Sequence, residues 1–291
     1  MLSGIYVPLI TPFDTAGDVD LGAFEKLAHH VLDEGAAGLV ALGTTGEVAM
    51  LSGEERDAVI AASLRVCAER DVPLIVGVSG NDTRSTIAGL RALPDGVTAA
   101  LVPVPYFLRP SERGVIAHFE ALAEVSPVPL VIYHIPYRTG QQVSAATLRH
   151  LGAHPMIAGV KYAAGGIDQD AVDLLGDLPE GFDVLGGDDL FVSPLLALGA
   201  SGGIIASAHL ATARFVELVD AWRAGNAAQA RELGHRLAMI SGALFAEPNP
   251  TVIKGVLHEQ GLIPTAEVRL PLLAAGQPAI EAAQRRLNQW M

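Results

Sequence analysis

The sequence predicts an α/β fold, a closed (β/α)8 barrel of the TIM type with a C-terminal helical extension. Three observations lead there. Eight short, nearly continuous apolar runs recur along the first two-thirds of the chain. Helical patterns fill the intervals between them. About 85 residues follow the eighth run (291 − 206), more than one closing helix requires.

The runs are Ile5–Ile10, Gly38–Leu42, Pro73–Val78, Ala99–Val104, Leu130–Ile135, Ile157–Tyr162, Phe182–Leu185 and Gly203–Ala206. They do not alternate apolar with polar, which marks strands covered on both faces. Their starts lie roughly 20–35 residues apart, one strand–helix unit each. Among the helices, Ser52-Gly-Glu-Glu55 is a capping box, followed by Val59, Ile60, Leu64 and Cys67. Ser111 opens a helix with Val115, Ile116, Phe119 and Leu122 on one face. Asp168 or Asp170 caps a third, and Asp188 or Asp189 a fourth carrying Phe191, Leu195 and Leu198. Phe215, Val216, Val219 and Trp222 make a further stripe. An open doubly wound sheet alternates in the same way, but no Gly-x-Gly-x-x-Gly turn follows the first strand and no P-loop is present. Residues 1–225 are therefore expected to form the barrel. Residues 226–291, with Leu233, Leu237, Ile240, Ile253, Val256 and Leu257, are expected to form helices packed on it.

Composition excludes several classes. Half the residues are hydrophobic and the formal net charge is −13, so the chain is neither disordered nor suited to gripping a nucleic-acid backbone. A single cysteine, Cys67, rules out an intrachain disulfide. The longest apolar stretches, near Thr98–Leu108 and Gly202–Ala211, are too short or too interrupted to cross a membrane. The start carries no basic segment or signal core, so a soluble cytoplasmic enzyme is expected. His29-His30 and the pair His150 and His154 lack a third ligand in any recognisable metal pattern, so no metal site is expected.

In a parallel barrel the reacting groups sit where strands end. Lys161 lies one residue before the end of the sixth run and is one of only three lysines, with Lys26 and Lys254. The other two fall in helical patterns, where the stem can lie on the surface with its charge in water. Burial at a strand end disfavours an ammonium and yields a neutral amine able to attack a carbonyl. A lysine reaching solvent, or paired with Asp188 or Asp189, fits the same position. Tyr133 lies toward the end of the preceding run, 28 residues earlier, where a phenol can shuttle protons or simply sit in the core. Gly43-Thr44-Thr45-Gly46-Glu47 follows the second run. Its backbone N–H groups and hydroxyls suit a carboxylate, although an ordinary turn has the same composition, and Glu47 reads as a brace. Arg138, just past Tyr133, can hold a carboxylate through two parallel hydrogen bonds or lie on the surface.

Taken in order, Val7-Pro-Leu-Ile-Thr-Pro12, Gly43–Glu47, Tyr133-His-Ile-Pro-Tyr-Arg-Thr-Gly140, Gly159-Val-Lys161, Gly187-Asp-Asp189 and Phe245-Ala-Glu-Pro-Asn-Pro250 resemble the dihydrodipicolinate synthase / N-acetylneuraminate lyase family of Schiff-base lyases, over nearly the whole chain. The resemblance implies a barrel with a helical extension, assembled as a homotetramer of two tight dimers. It implies that Lys161 forms an imine with pyruvate, so that no separate cofactor is needed, and that Tyr133 relays protons. Thr44 and Thr45 would hold the pyruvate carboxylate, with Gly43, Gly187 and Ile204 lining the site. Arg138 would bind the carboxylate of an aldehyde substrate, aspartate semialdehyde in the synthase branch of lysine biosynthesis.

The chain departs from that branch in places. Its second relay tyrosine falls on Phe107, in Pro105-Tyr106-Phe107-Leu108, and a phenyl ring cannot pass a proton; Tyr106 or water would have to substitute. Tyr162 stands where many synthases carry Glu, and Ser85 and Arg56 stand where a feedback-lysine site has an acid and an imidazole, so little lysine inhibition is expected. The runner-up activity is an aldolase or dehydratase acting on 2-keto-3-deoxy sugar acids. A reading of another class is a barrel that binds small acids without turnover.

Overall fold

In the computed structural model, which describes residues 2–290, eight parallel strands close in sequence order, each hydrogen-bonded to the next. They are β1 (Gly4–Pro8), β2 (Gly38–Ala41), β3 (Leu74–Gly77), β4 (Ala99–Pro103), β5 (Leu130–His134), β6 (Ile157–Tyr162), β7 (Asp183–Gly186) and β8 (Gly202–Ile204). Each of the eight expected runs overlaps a strand, with at least one bound off by one or two residues except at β6, whose bounds agree. Helices α1 (Leu21–Asp33), α2 (Gly53–Arg70), α3 (Thr83–Arg91), α4 (Glu112–Ala123), α5 (Pro136–Thr139), α6 (Ala145–Gly152), α7 (Gln169–Gly176), α8 (Val192–Ala197) and α9 (Ala208–Arg223) occupy the connections and follow β8. Beyond them lie α10 (Ala227–Leu244), α11 (Thr251–Glu259) and α12 (Gln277–Trp290).

The chain divides into two compact units. One holds Ile75–Ile204 with the chain start up to Gly4. Its core lies between strands and helices: Val102 of β4, Leu130 and Ile132 of β5, Val160 and Tyr162 of β6 and Val184 of β7 pack with Val115, Phe119 and Leu122 of α4, Leu148 of α6 and Leu174 of α7. Side chains alternate along a strand, so Tyr133 and Lys161 face the other way, toward the interior. The β5–β6 register slips once. Leu130 pairs with Ile157 and Val131 with Gly159, which leaves Ala158 as an extra residue. Beyond the slip, Tyr133 pairs with Lys161 and His134 with Tyr162.

The other unit holds Ile5–Leu74 and the chain from Ile205 onward. Here α2 begins at the expected capping box, with Glu55 N–H donating to Ser52 Oγ and Ser52 N–H to Glu55 Oε2. Asn226 caps α10, where the helical extension was expected to begin, and α10 packs against α9 and α12. In the first unit, Asp168 caps α7 and Ser111 caps α4.

One expected cap is corrected. Neither Asp188 nor Asp189 caps α8, which starts after a short 3-10 turn at Asp189–Phe191 without a side-chain cap. Asp188 instead accepts from the Gly165 N–H at 2.6 Å, because the turn aims its carboxylate back toward the loop after β6.

Candidate active site

Lys161 lies one residue before the end of β6 and is 6% exposed. Its Nζ sits 4.2 Å from the centroid of the Tyr133 ring, and Tyr133 is itself buried. The parallel register places the two directly across from one another, so the contact is built into the strands and needs no loop to arrange it. Enclosure pulls the Lys161 ammonium from its ordinary value near 10.5 down to about 8. Asp189 and then Asp188 act against burial, and the Arg138 charge acts with it. The result is an amine with an appreciable neutral fraction near neutral pH, beside a phenol that can carry protons.

The β7–α8 turn supplies the wall beside the lysine. A Cβ built on Gly187 would stand 2.8 Å from Lys161 Cγ and 3.0 Å from its Cε. Only glycine leaves room for the stem to pass. Asp188 is held above the usual carboxylate range by burial, and Tyr137 O–H donates to its Oδ1 at 3.4 Å. Arg138 is exposed on α5, which starts on Pro136 immediately past β5. Ile204 ends β8 and is buried. Tyr106 is 38% exposed and Phe107 84%, on a loop whose Phe107 and Arg109 take positive φ of 70° and 49°. The structure thus brings Lys161, Tyr133 and Gly187 together, with the charges of Arg138, Asp188 and Asp189 close enough to act on the lysine. Phe107 points its ring into solvent.

Gly43, Thr44 and Thr45 follow β2 in the other unit. Thr44–Gly46 form a 3-10 turn, and Glu47 after it is left-handed at φ 55°. That conformation is strained for a residue with a Cβ, and its carboxylate is pinned from two sides. Lys254 Nζ lies 2.5 Å from Glu47 Oε1, and the Arg269 N–H donates to Oε2 at 3.0 Å. Glu47 therefore braces the loop, as its position in the sequence suggested.

The sequence predicts for Lys254 a helical surface position with its charge in water, and the structure corrects this. The side chain is wholly buried. Besides Glu47 it donates to the Glu267 carbonyl at 2.8 Å and sits 4.0 Å from the Phe13 ring centroid. Its pKa is drawn down to about 8 by burial, against Glu47. Residues Thr251–Leu257 are buried on every side of α11, so the helix has no wet face for a lysine to use. The available signal was that Lys254 is the one charged residue in Thr-Val-Ile-Lys-Gly-Val-Leu. His134 gives no sign of its burial in the sequence. It is fully buried, neither ring nitrogen has a partner, and burial lowers its pKa to about 4 despite Asp168, Asp170 and Glu112 nearby. It lies on the opposite face of β5 from Tyr133.

A buried amine of lowered pKa, set against a phenol across two strands of a parallel eight-stranded barrel, defines an imine-forming lyase of the class I aldolase type. A model of the dihydrodipicolinate synthetase family matches residues 1–289. The 4-hydroxy-tetrahydrodipicolinate synthase 2 of Clostridium acetobutylicum is 37% identical over 291 residues, covering 100% of this chain and 99% of its own. The Pseudomonas aeruginosa 4-hydroxy-tetrahydrodipicolinate synthase is 37% identical over 290 residues, covering 99% and 98%. Among solved structures, the chloride-inhibited dihydrodipicolinate synthase of Acinetobacter baumannii, complexed with pyruvate, superposes with a TM-score of 0.93 at 36% identity, covering 99% of this chain and 98% of the other. The chain belongs to the dihydrodipicolinate synthetase family.

Proposed function

We propose that the protein is a dihydrodipicolinate synthase, condensing pyruvate with L-aspartate semialdehyde through an imine on Lys161. The observation that carries this reading is the buried Lys161 amine facing Tyr133 in a chain of this family. The neutral amine adds to the pyruvate ketone, and Tyr133 moves the protons that let water leave. The iminium draws electrons from the methyl carbon, which loses a proton and becomes an enamine nucleophile. That carbon attacks the aldehyde. The amino group of the second substrate then displaces Lys161 from the former ketone carbon, closing the ring and freeing the enzyme. Thr44 and Thr45 hold the pyruvate carboxylate, with Gly43, Gly187 and Ile204 lining its site. Arg138 takes the carboxylate of the aldehyde, and Tyr106 lines that approach. The imine is the only covalent aid, so no cofactor or metal enters a step. On this reading residues 1–225 are the catalytic barrel, 226–291 are the helical extension, and the protein works in the cytoplasm as a tetramer of two tight dimers.

Phe107 favours a second reading, an aldolase or dehydratase of 2-keto-3-deoxy sugar acids, since its ring cannot pass a proton. The experiment is borohydride reduction with pyruvate, followed by peptide mass mapping. A reduced adduct on Lys161 is expected, and its absence would remove the imine. Turnover with aspartate semialdehyde against 2-keto-3-deoxygluconate then separates the two activities. An Arg138→Ala variant is expected to raise KM for the semialdehyde while sparing that for pyruvate, and an unchanged semialdehyde KM would count against the synthase.

A further inference from the structure

The loop Gly43–Met50 is tied to the C-terminal region of its own unit at several points. Lys254 and the Arg269 N–H hold the Glu47 carboxylate, and Arg269 Nη1 donates to the Met50 carbonyl at 3.0 Å. These ties fix the backbone. One further contact reaches a side chain that the reading above places on substrate: Asn249 Nδ2 donates to Thr45 Oγ1 at 3.0 Å.

The direction of that bond matters. A hydroxyl has one proton and two lone pairs. When Thr45 Oγ1 accepts from the amide, one lone pair is occupied and its own proton stays available to another acceptor. Next to a carboxylate, that proton makes a charge-assisted hydrogen bond, roughly twice as strong as a neutral one. Asn249 is well placed for the task. Prolines 248 and 250 flank it and restrict the backbone, and α11, which follows at Thr251, is anchored to the same loop through Lys254.

We propose that Asn249 is a positioning residue for the 2-oxo acid, holding the Thr45 hydroxyl as a proton donor toward the substrate carboxylate. The proposal rests on the assignment of Thr45 to pyruvate made above. The C-terminal region thereby takes part in substrate recognition through Thr45 as well as in stability.

The test is the pyruvate dependence of borohydride trapping on Lys161, together with KM for each substrate. Asn249→Ala is expected to raise the half-saturating pyruvate concentration about tenfold, equivalent to about 1.4 kcal/mol, and to leave KM for the aldehyde unchanged. Asn249→Asp keeps the shape, removes the donor and adds a negative charge, so it is expected to raise the pyruvate value further; it decides the question if the alanine variant does not fold. In a Thr45→Val background, Asn249→Ala is expected to add nothing. A parent-like pyruvate dependence in both Asn249 variants, while Thr45→Val is impaired, overturns the proposal and leaves the imine assignment standing. Full additivity of Asn249→Ala and Thr45→Val overturns it as well. An unimpaired Thr45→Val, or a parent that gives no adduct at Lys161, removes the reading on which it depends.

Discussion

Replacing Lys254 by methionine should be among the most damaging single changes to stability that leave Lys161 untouched. The lysine has no exposed side-chain surface, and its amine meets Glu47 Oε1, the Glu267 carbonyl and the Phe13 ring. Methionine keeps the stem's volume and removes the charge, which leaves the Glu47 carboxylate buried with the Arg269 N–H as its remaining support at 3.0 Å. Breaking one partner of a buried pair costs about 3–5 kcal/mol. At about 1.4 kcal/mol per tenfold, that raises the unfolding constant by roughly two to three and a half powers of ten. Urea unfolding followed by circular dichroism, at one fixed protein concentration, reads this directly. The pair also predicts non-additivity. Glu47→Gln alone strands the ammonium, whereas Lys254→Met with Glu47→Gln removes both charges and keeps an acceptor for the Arg269 N–H. The double variant should therefore cost clearly less than the two single costs together, with a coupling of about 2 kcal/mol or more. A Lys254→Met cost below about 1 kcal/mol, or strict additivity, would refute the argument from the buried pair.

Three further outcomes follow from the same geometry. With the folded pKa of Lys161 at about 8 against an ordinary 10.5, its neutral fraction near pH 7 is about 300-fold that of a free lysine. The rate of pyruvate trapping should climb about tenfold per pH unit below pH 8 and level off above it. Asp188 helps hold the charged form, so Asp188→Asn should move that limb to lower pH, and a shift to higher pH would contradict the assignment. Gly187→Ala places a methyl 2.8 Å from Lys161 Cγ, so imine trapping should fall at least tenfold while the urea midpoint changes little; undiminished trapping would show that the stem has room to move. His134, His118 and His209 are each lowered from 6.5 to about 4 by burial. The unfolded chain then binds more protons between these values, so their stabilising share is intact above pH 6.5 and lost as pH falls through 4. His134→Gln should flatten the pH dependence of the urea midpoint across that window, and an unchanged slope would exclude His134 from it.

The legible parts of this chain were those written locally. The β5 and β6 runs are apolar because both faces of a parallel strand are covered, and Ser52 with Glu55 encodes a helix start within four residues. Lys161 stands out because a charged residue near the end of such a run is a local anomaly. What escaped was set by partners far away in sequence. Lys254 and Glu47 are separated by 207 positions, and neither segment alone reveals the other. Asp188 looked like a cap because Asp before an apolar helical stripe usually is one, yet a distant N–H at Gly165 claimed its carboxylate. Asn249 stands between two prolines with no local sign of a partner, and its bond to Thr45 spans 204 positions. The family resemblance had supplied Gly187 as a lining residue, and the coordinates give the physical reason, a lysine stem that passes where a Cβ would stand.

The extra residue in β6 has its own consequence. Ile157 packs outward in the strand–helix core, and Lys161 lies four positions later, so uninterrupted alternation would send the amine outward as well. Ala158 resets the phase. A methyl-bearing residue with no chemistry of its own thus decides which side of the wall the Lys161 amine occupies. Shortening the strand by that single position would turn the amine away from Tyr133, with every side chain of the pair still present in the chain.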